Sequence, residues 1–385
     1  MVPVEFSGLN VQGYRRLRKV TLDLAEFNVL IGANGVGKSS ILEVMHLLAG
    51  SATGGLDARI SQAGGISSLL TQDGSTEVIK LGLERPVTSA EPLNYHVNLA
   101  SSGIGYAISL EQLSQFQVDT QTELKLIDAT AGHVRYFDKQ RKFVEPNWEY
   151  RPEETALSQV PKMYKVPENF RHLLASATEI YHTLDVSTRA PVRTPQSLQP
   201  ASTPGRNGET LLSCLYALRE DHADRYEAVM DALRAAFPTF ERLELPTVAA
   251  GSVTLRWKDR NFKNPIYPHQ LSEGTLRFLW LATLLQSPGL PKVTLIDEPE
   301  VSLHPEMLQL LTELMREAAS RTQLIVATHS DRFVRFLKPD ELVVCDLGGH
   351  GGTLVRRADE LDLDKWLADY ALDELWSMGR LGGRS

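Results

Sequence analysis

Read for the spacing of its apolar positions, the chain falls into several stretches. Residues 4–11 and 18–24 alternate apolar with polar side chains, which predicts strands with one buried face. Phe27-Asn28-Val29-Leu30-Ile31 is almost continuously apolar, as a strand covered on both faces should be. Helical spacing follows over 40–48. From Thr76 to about Trp148 alternation dominates, at 77–83, 95–99, 123–127 and 133–137, and predicts an antiparallel sheet with one wet face. Residues 149–208 hold prolines at 152, 161, 167, 191, 195, 200 and 204, with helical spacing only at 169–184, and read as loop-rich and partly mobile. Helices are expected at 209–218 and 223–237, and a strand at 252–257. The last third alternates: helix 275–286, strand 292–296, helix 305–319, strand 323–327 and strand 341–345. That alternation is the mark of a largely parallel α/β sheet. No sustained heptad pattern and no internal repeat occurs, which excludes long coiled-coil arms.

Between the buried strand 27–31 and the helix after it stands Gly32-Ala33-Asn34-Gly35-Val36-Gly37-Lys38-Ser39, followed by Ser40. Glycines here let the backbone curl with its N–H groups inward, making a concave anion site at a helix N-terminus. Lys38 is expected to reach the β- and γ-phosphates, and the Ser39 hydroxyl to ligand Mg²⁺. The flanking strand and helix are the context that a phosphate loop needs, so the chain is expected to bind a nucleoside triphosphate.

Three further elements join this loop. Strand 292–296 ends in Asp297-Glu298; the Asp suits the metal opposite Ser39, and the Glu suits the base that orients or deprotonates water. Strand 323–327 ends in Thr328-His329-Ser330, where His329 can donate to a γ-phosphate. Leu271-Ser272-Glu273-Gly274-Thr275 opens an apolar helix. Ser272 reads as an N-cap or as part of a second anion site, with Gly274 permitting close backbone approach.

Bulk properties narrow the class. At 385 residues and 42% hydrophobic content the chain can bury one large core or several. The longest apolar run, 278–285, is too short to cross a bilayer, and no signal peptide is read at the N-terminus. Two cysteines, Cys214 and Cys345, read as buried thiols in a reducing cytoplasm. A net charge of −8 argues against a protein that coats nucleic acid, while leaving room for local basic patches at 15–19, 139–142 and 256–263.

Taken in order, Gly32–Ser39, Leu271–Thr275, Val293–Glu298 and His329 resemble the Walker A, signature, Walker B and switch-histidine elements of ABC-class ATPases. Gly13-Tyr14-Arg15-Arg16-Leu17, the run 297–305 and the closing 372–383 narrow the resemblance to the SMC/RecF/OLD-like branch of AAA/ABC-type ATPases, without coiled-coil arms or a Toprim domain. The resemblance implies an α/β P-loop NTPase head with a mixed sheet: central parallel strands, N-terminal antiparallel strands, and an α+β insertion between Walker A and signature. Its implied divisions are residues 1–85, 86–264, 265–357 and a tail at 358–385. One lobe would join the N-terminal strands to the phosphate-loop helix, and the other would carry signature, Walker B and His329.

The resemblance also implies ATP and Mg²⁺ as ligands and a homodimer that sandwiches nucleotide, with Ser272 and Gly274 meeting the partner's ATP. DNA or a separate effector protein are the further partners it suggests, with no membrane. Gln62 is the candidate for the metal-and-water-sensing glutamine, with Gln72 next. Arg15 and Arg16 are candidates for the adenine. Asp359, Asp362, Asp364 and Asp369 read as an acidic helix surface rather than a nuclease site. A transporter subunit is disfavoured by the long strand-rich insertion, and a small-molecule kinase would need neither the 272–274 element nor Glu298.

Overall fold

The computed structural model describes residues 4–86, 92–103, 105–117, 122–130, 132–137, 142–146, 149–176, 179–249, 251–361 and 370–382. Asp362, Asp364, Asp369, Lys139 and Arg141 lie outside the described residues.

A hairpin of β1 (Gly8–Tyr14) and β2 (Leu17–Asp23) precedes β3 (Phe27–Ile31), which runs into helix α1 (Lys38–Thr53). Short helices α2 (Leu56–Gln62) and α3 (Ile66–Leu69) lead to β4 (Val78–Glu84), β5 (Leu93–Ser102), β6 (Gly105–Gln117), β7 (Thr122–Thr130), β8 (His133–Phe137) and β9 (Phe143–Val144). Then come α4 (Lys165–Ser176), β10 (Ile180–Tyr181), β11 (Gln196–Ser197), α5 (Leu211–Asp221), α6 (Ala223–Ala236), β12 (Phe240–Glu244), β13 (Thr247–Ala249), β14 (Ser252–Val253) and β15 (Arg256–Asp259). The last part holds α7 (Glu273–Gln286), β16 (Val293–Asp297), α8 (Pro305–Ala319), β17 (Gln323–Thr328), α9 (Asp331–Val334), β18 (Leu342–Leu347), β19 (Thr353–Arg357) and α10 (Leu372–Ser377).

Two large sheets organise these elements. One is eight-stranded and antiparallel, in the order β2-β1-β4-β5-β6-β7-β8-β9. The other is six-stranded, β10-β16-β17-β3-β18-β19, parallel throughout except for β19. The parallel sheet alternates its apolar side chains between two cores. Leu30, Leu295, Ile325 and Val343 face α1 and the antiparallel sheet. Val29, Ile296, Val326 and Val344 face α5 to α8. Burial on both faces explains why these strands read as continuous apolar runs. Gln323 joins the sheets: its side-chain amide accepts from Phe6 N and donates to Phe6 O, as a strand neighbour would.

The structure departs from the sequence reading in several places. Helical spacing at 169–184 yields a helix only to Ser176, and Ile180–Tyr181 is instead an edge strand parallel to Leu295–Ile296 of β16. The expected strand 252–257 divides into β14 and β15, which pair in different sheets. β3 lies between β17 and β18, so the Walker A strand shares a sheet with Walker B, while α1 packs in one core with the N-terminal hairpin. The division at 85/86 falls between β4 and β5, which pair from Val78↔Ala100 to Glu84↔Asn94. Residues 149–208 are loop-rich yet packed, with Tyr164, Phe170, Leu184 and Val192 buried.

The antiparallel sheet is tied to α1 through a buried acid. On β6, Glu111 accepts from Tyr95 Oη at 3.1 Å and from the backbone N–H groups of Ala156 and Leu157. Tyr95 Oη also donates to Ser51 Oγ near the end of α1, and Thr155 Oγ1 to Ser51 O. Burial pushes the Glu111 pKa up from 4.5 to about 7. A folded-state pKa above the unfolded one means that the folded chain binds this proton more tightly. Glu111 therefore favours folding most below pH 4.5, less as pH rises to about 7, and not further above it. Chemical denaturation of the wild type and Glu111→Gln across pH 4.5 to 7.5 checks this. The wild type should lose up to about 3 kcal/mol relative to the variant over that window.

Candidate ATP site

The carboxyl ends of β3, β16, β17 and β10 open on the same edge of the parallel sheet, where open α/β sheets bind ligands. At the end of β3, Gly37 holds φ 112°, and a Cβ there would lie 2.6 Å from the Thr353 hydroxyl, so no larger residue fits. Thr353, at the start of β19, clamps the loop by donating to Val36 O at 2.6 Å. Gly32, Val36 and Lys38 are buried, Ala33, Gly37 and Ser40 are half-buried, and Asn34, Gly35 and Ser39 are exposed.

Lys38 folds back on its own loop, its Nζ donating to Gly32 O at 2.7 Å and Ala33 O at 2.8 Å. Burial lowers its pKa, opposed by the nearby carboxylates of Asp297, Glu298 and Glu300. The ammonium is thus desolvated and, among the described residues, hydrogen-bonded to neutral carbonyls, which a phosphate can displace. Ser39 Oγ lies 3.3 Å from Asp297 Oδ1, a contact spanning 258 positions in sequence. Among the described residues, no group of three or more His, Cys, Asp or Glu converges as a metal cage. A Ser–Asp pair instead suits Mg²⁺, which takes its remaining ligands from phosphate and water.

Beyond Asp297 the chain turns sharply. Glu298 sits at φ 53°, unusual for a non-glycine residue, and its N–H is held by Ala327 O at 2.9 Å. The turn keeps the Glu298 side chain half-exposed, 3.0 Å from His329 Nδ1 at the end of β17. Glu298 and His329 therefore adjoin across the neighbouring ends of β16 and β17, with Asp297 the residue before Glu298.

The signature element lies on a neighbouring loop. Ser272 is exposed and caps α7, its Oγ accepting from Thr275 N at 3.1 Å, as the N-cap reading expects. Gly274 allows α7 to approach the turn after β16: a Cβ there would lie 2.5 Å from Ser302 O. Arg277 binds this turn through Ser302 Oγ and lies 3.7 Å from Glu273.

His182 escaped the sequence reading: it follows β10 and places Nδ1 3.4 Å from Asp297 Oδ2, while Ser39 meets Oδ1. Gln62 lines a cavity of about 380 Å³ together with His182, Arg59 and Arg206, beside α1. Gln72 donates to Ser67 O and Leu70 O. Arg15, at φ 45°, is engaged by Glu43 of α1 at 2.6 Å. Arg16 is exposed and lines a second basic cavity with Arg18 and Thr71. A two-residue edge strand carries almost no periodicity, so His182 had no local signal beyond its residue type.

Residues 27–335 match the family described as "AAA domain, putative AbiEii toxin, Type IV TA system". The chain belongs to this AAA family. Two solved structures share its fold. One is an Smc head bound to the C-terminal winged-helix domain of ScpA, 15% identical, covering 92% of this chain and 99% of that one with a TM-score of 0.54. The other is an Smc head with an extended coiled coil, bound to the C-terminal domain of ScpA derived from Pyrococcus furiosus. It is 14% identical, covers 95% and 99%, and has a TM-score of 0.52. A short segment is similar to the DNA replication and repair protein RecF: 49% identical over 47 residues with that of Acinetobacter baylyi, and 57% over 42 with that of Acinetobacter baumannii. These matches span only 13% and 12% of the RecF chains. The fold is that of an ABC-type P-loop ATPase head of the SMC kind.

Proposed function

We propose that this chain binds ATP with Mg²⁺ on Gly32–Ser40 and hydrolyses it once a second copy closes the site with Ser272 and Gly274. The observation that carries the reading is the meeting of Ser39 and Asp297, with Lys38 and Glu298 adjoining. Ser39 and Asp297 would hold Mg²⁺, which supplies neutralisation of phosphate charge when bound. Lys38 exchanges its loop carbonyls for phosphate oxygens. Glu298 takes the proton of the attacking water, and His329 donates to the γ-phosphate. ATP shared by two copies favours their association by mass action, so hydrolysis releases the dimer.

The cycle serves a DNA-directed task such as repair, maintenance or phage defence, a reading supported by the likeness of a short segment to RecF. The second reading is an ATP-switched subunit for a separate effector such as a nuclease; it is favoured if DNA leaves single-turnover ATPase rates unchanged. A transporter subunit fits less well, because the stretch between loop and signature supplies most of an eight-stranded sheet. No helix among the described residues is long and apolar enough to cross a membrane, and Cys214 and Cys345 are free and buried. A cytoplasmic location accords with both.

Lys38→Met tests the nucleotide assignment. Losing a hydrogen-bonding charge on phosphate should weaken ATP binding by about 10- to 150-fold, corresponding to roughly 1.5–3 kcal/mol. Calorimetric titration with ATP reads this, and unchanged affinity removes Lys38 from the site.

A further inference from the structure

The turn that carries Glu298 holds a second carboxyl group, which the catalytic reading leaves without a role. The Glu300 side chain is 7% exposed. Its Oε1 accepts from the Thr328 hydroxyl at 2.6 Å and from the backbone N–H of His329 at 3.3 Å. The same oxygen lies 3.7 Å from His329 Nδ1, whose nearer neighbour is Glu298 Oε1 at 3.0 Å. Glu300 Oε2 is buried with no hydrogen-bond partner among the described residues.

An orphaned buried oxygen disfavours folding, and an apolar residue of similar size would avoid that cost. What the carboxyl supplies is Oε1, the acceptor that joins the turn after β16 to the end of β17. Without it the Thr328 hydroxyl and the His329 N–H lose their shared partner, and the loop bearing the imidazole loses its anchor to the turn bearing the base.

We propose that Glu300 is the positioning residue of His329, fixing the strand-end loop so that the imidazole stands between Glu298 and the γ-phosphate. This rests on the role given to His329 above. The holding needs an acceptor oxygen, because Oε1 accepts from both the Thr328 hydroxyl and the His329 N–H. Glu300→Gln keeps such an oxygen, and Glu300→Ala does not.

The test is a double-mutant cycle on steady-state ATPase, with ATP affinity measured separately. Glu300→Gln should stay within about threefold of wild type, and Glu300→Ala should lose about 10- to 100-fold in kcat with ATP affinity unchanged. In a His329→Ala background, Glu300→Ala should cost nothing more, because the residue it positions is gone. Equal losses in both backgrounds would make Glu300 a general stabiliser and overturn the proposal, as would wild-type kcat in Glu300→Ala. If Glu300→Ala does not fold, Thr328→Val reads the same cycle by removing the hydroxyl that Oε1 accepts from. A wild-type protein that hydrolyses no ATP brings down the underlying reading and this inference with it. A hydrolysing wild type with additive losses brings down this inference alone.

Discussion

Glu298→Gln is expected to bind ATP as tightly as the wild type, lose turnover by about 10²- to 10⁴-fold, and accumulate as an ATP-bound dimer. Gln is isosteric and still presents an oxygen to His329 Nδ1, so the adjoining loop should keep its place. The left-handed backbone at 298 is equally strained for either residue, which leaves stability little changed. Lys38, Ser39 and Asp297 are untouched, so binding in one copy should persist. What disappears is the basic oxygen that, on the proposed reading, would accept the water's proton. With hydrolysis slowed and binding intact, nucleotide shared between two copies stays shared, and mass action holds the dimer together. Size-exclusion chromatography with ATP and Mg²⁺ reads the dimer, and phosphate release reads the rate. Turnover at the wild-type rate would remove Glu298 as the base and leave the carboxylates of Asp297 and Glu300 to be tested in its place.

The parts of this architecture that the sequence made legible are those whose chemistry is local. The loop 32–39 carries a phosphate-loop pattern in its own residue types, and the strand before it and the helix after it fall where that pattern needs them. Helices 273–286 and 305–319 and strands 293–297 and 323–328 could be read nearly to their ends, because the sheet is buried on both faces. The antiparallel sheet showed in its alternation at β4, β5, β7 and β8, while β6, its longest strand, was not among the strands that alternation marked. What stayed hidden depends on partners far along the chain. Ile180–Tyr181 is a strand only because β16 offers it a parallel edge, and that pairing carries His182 to Asp297. Glu300 reads as one more carboxylate in an acidic run until β17 places Thr328 above it. β19 exists because β18 turns back through a glycine-rich loop, and its first residue then clamps the phosphate loop 317 positions away.

The signature element belongs to the same web. Gly274 packs on Ser302 O, Arg277 grips Ser302 Oγ, and Ser302 stands at φ 63° in the turn that begins at Glu298. Arg277 also donates to Leu184 O, two residues past His182. The start of α7 and the carboxylates after β16 are therefore braced by shared contacts within one chain. A load applied to Ser272 by a second copy would reach the turn bearing Glu298 through packed atoms.

Ser272→Arg should abolish ATP-driven dimerisation and lower turnover by about 10²- to 10³-fold, the cost of removing donors from a phosphate-stabilising site, while leaving monomeric ATP binding intact. Among the described residues, the hydrogen bonds of the Ser272 side chain are with Thr275. The substitution forfeits an N-cap worth about 1 kcal/mol, and the buried face of α7, with Leu276, Phe278, Leu279 and Leu281, keeps the helix in place. Its bulk and charge then stand where a partner's nucleotide would approach. The decisive measurement mixes this variant with Lys38→Met. Each is inactive alone, for opposite reasons. A mixed dimer pairs an intact phosphate loop from one chain with an intact signature from the other. An equal mixture should therefore recover about a quarter of wild-type turnover where copies pair at random, rising toward about half where only mixed dimers form, since each mixed dimer carries one complete site of two. If Ser272 acted on its own chain's nucleotide, both sites of every mixed dimer would remain broken, and the mixture would stay as inactive as its parts.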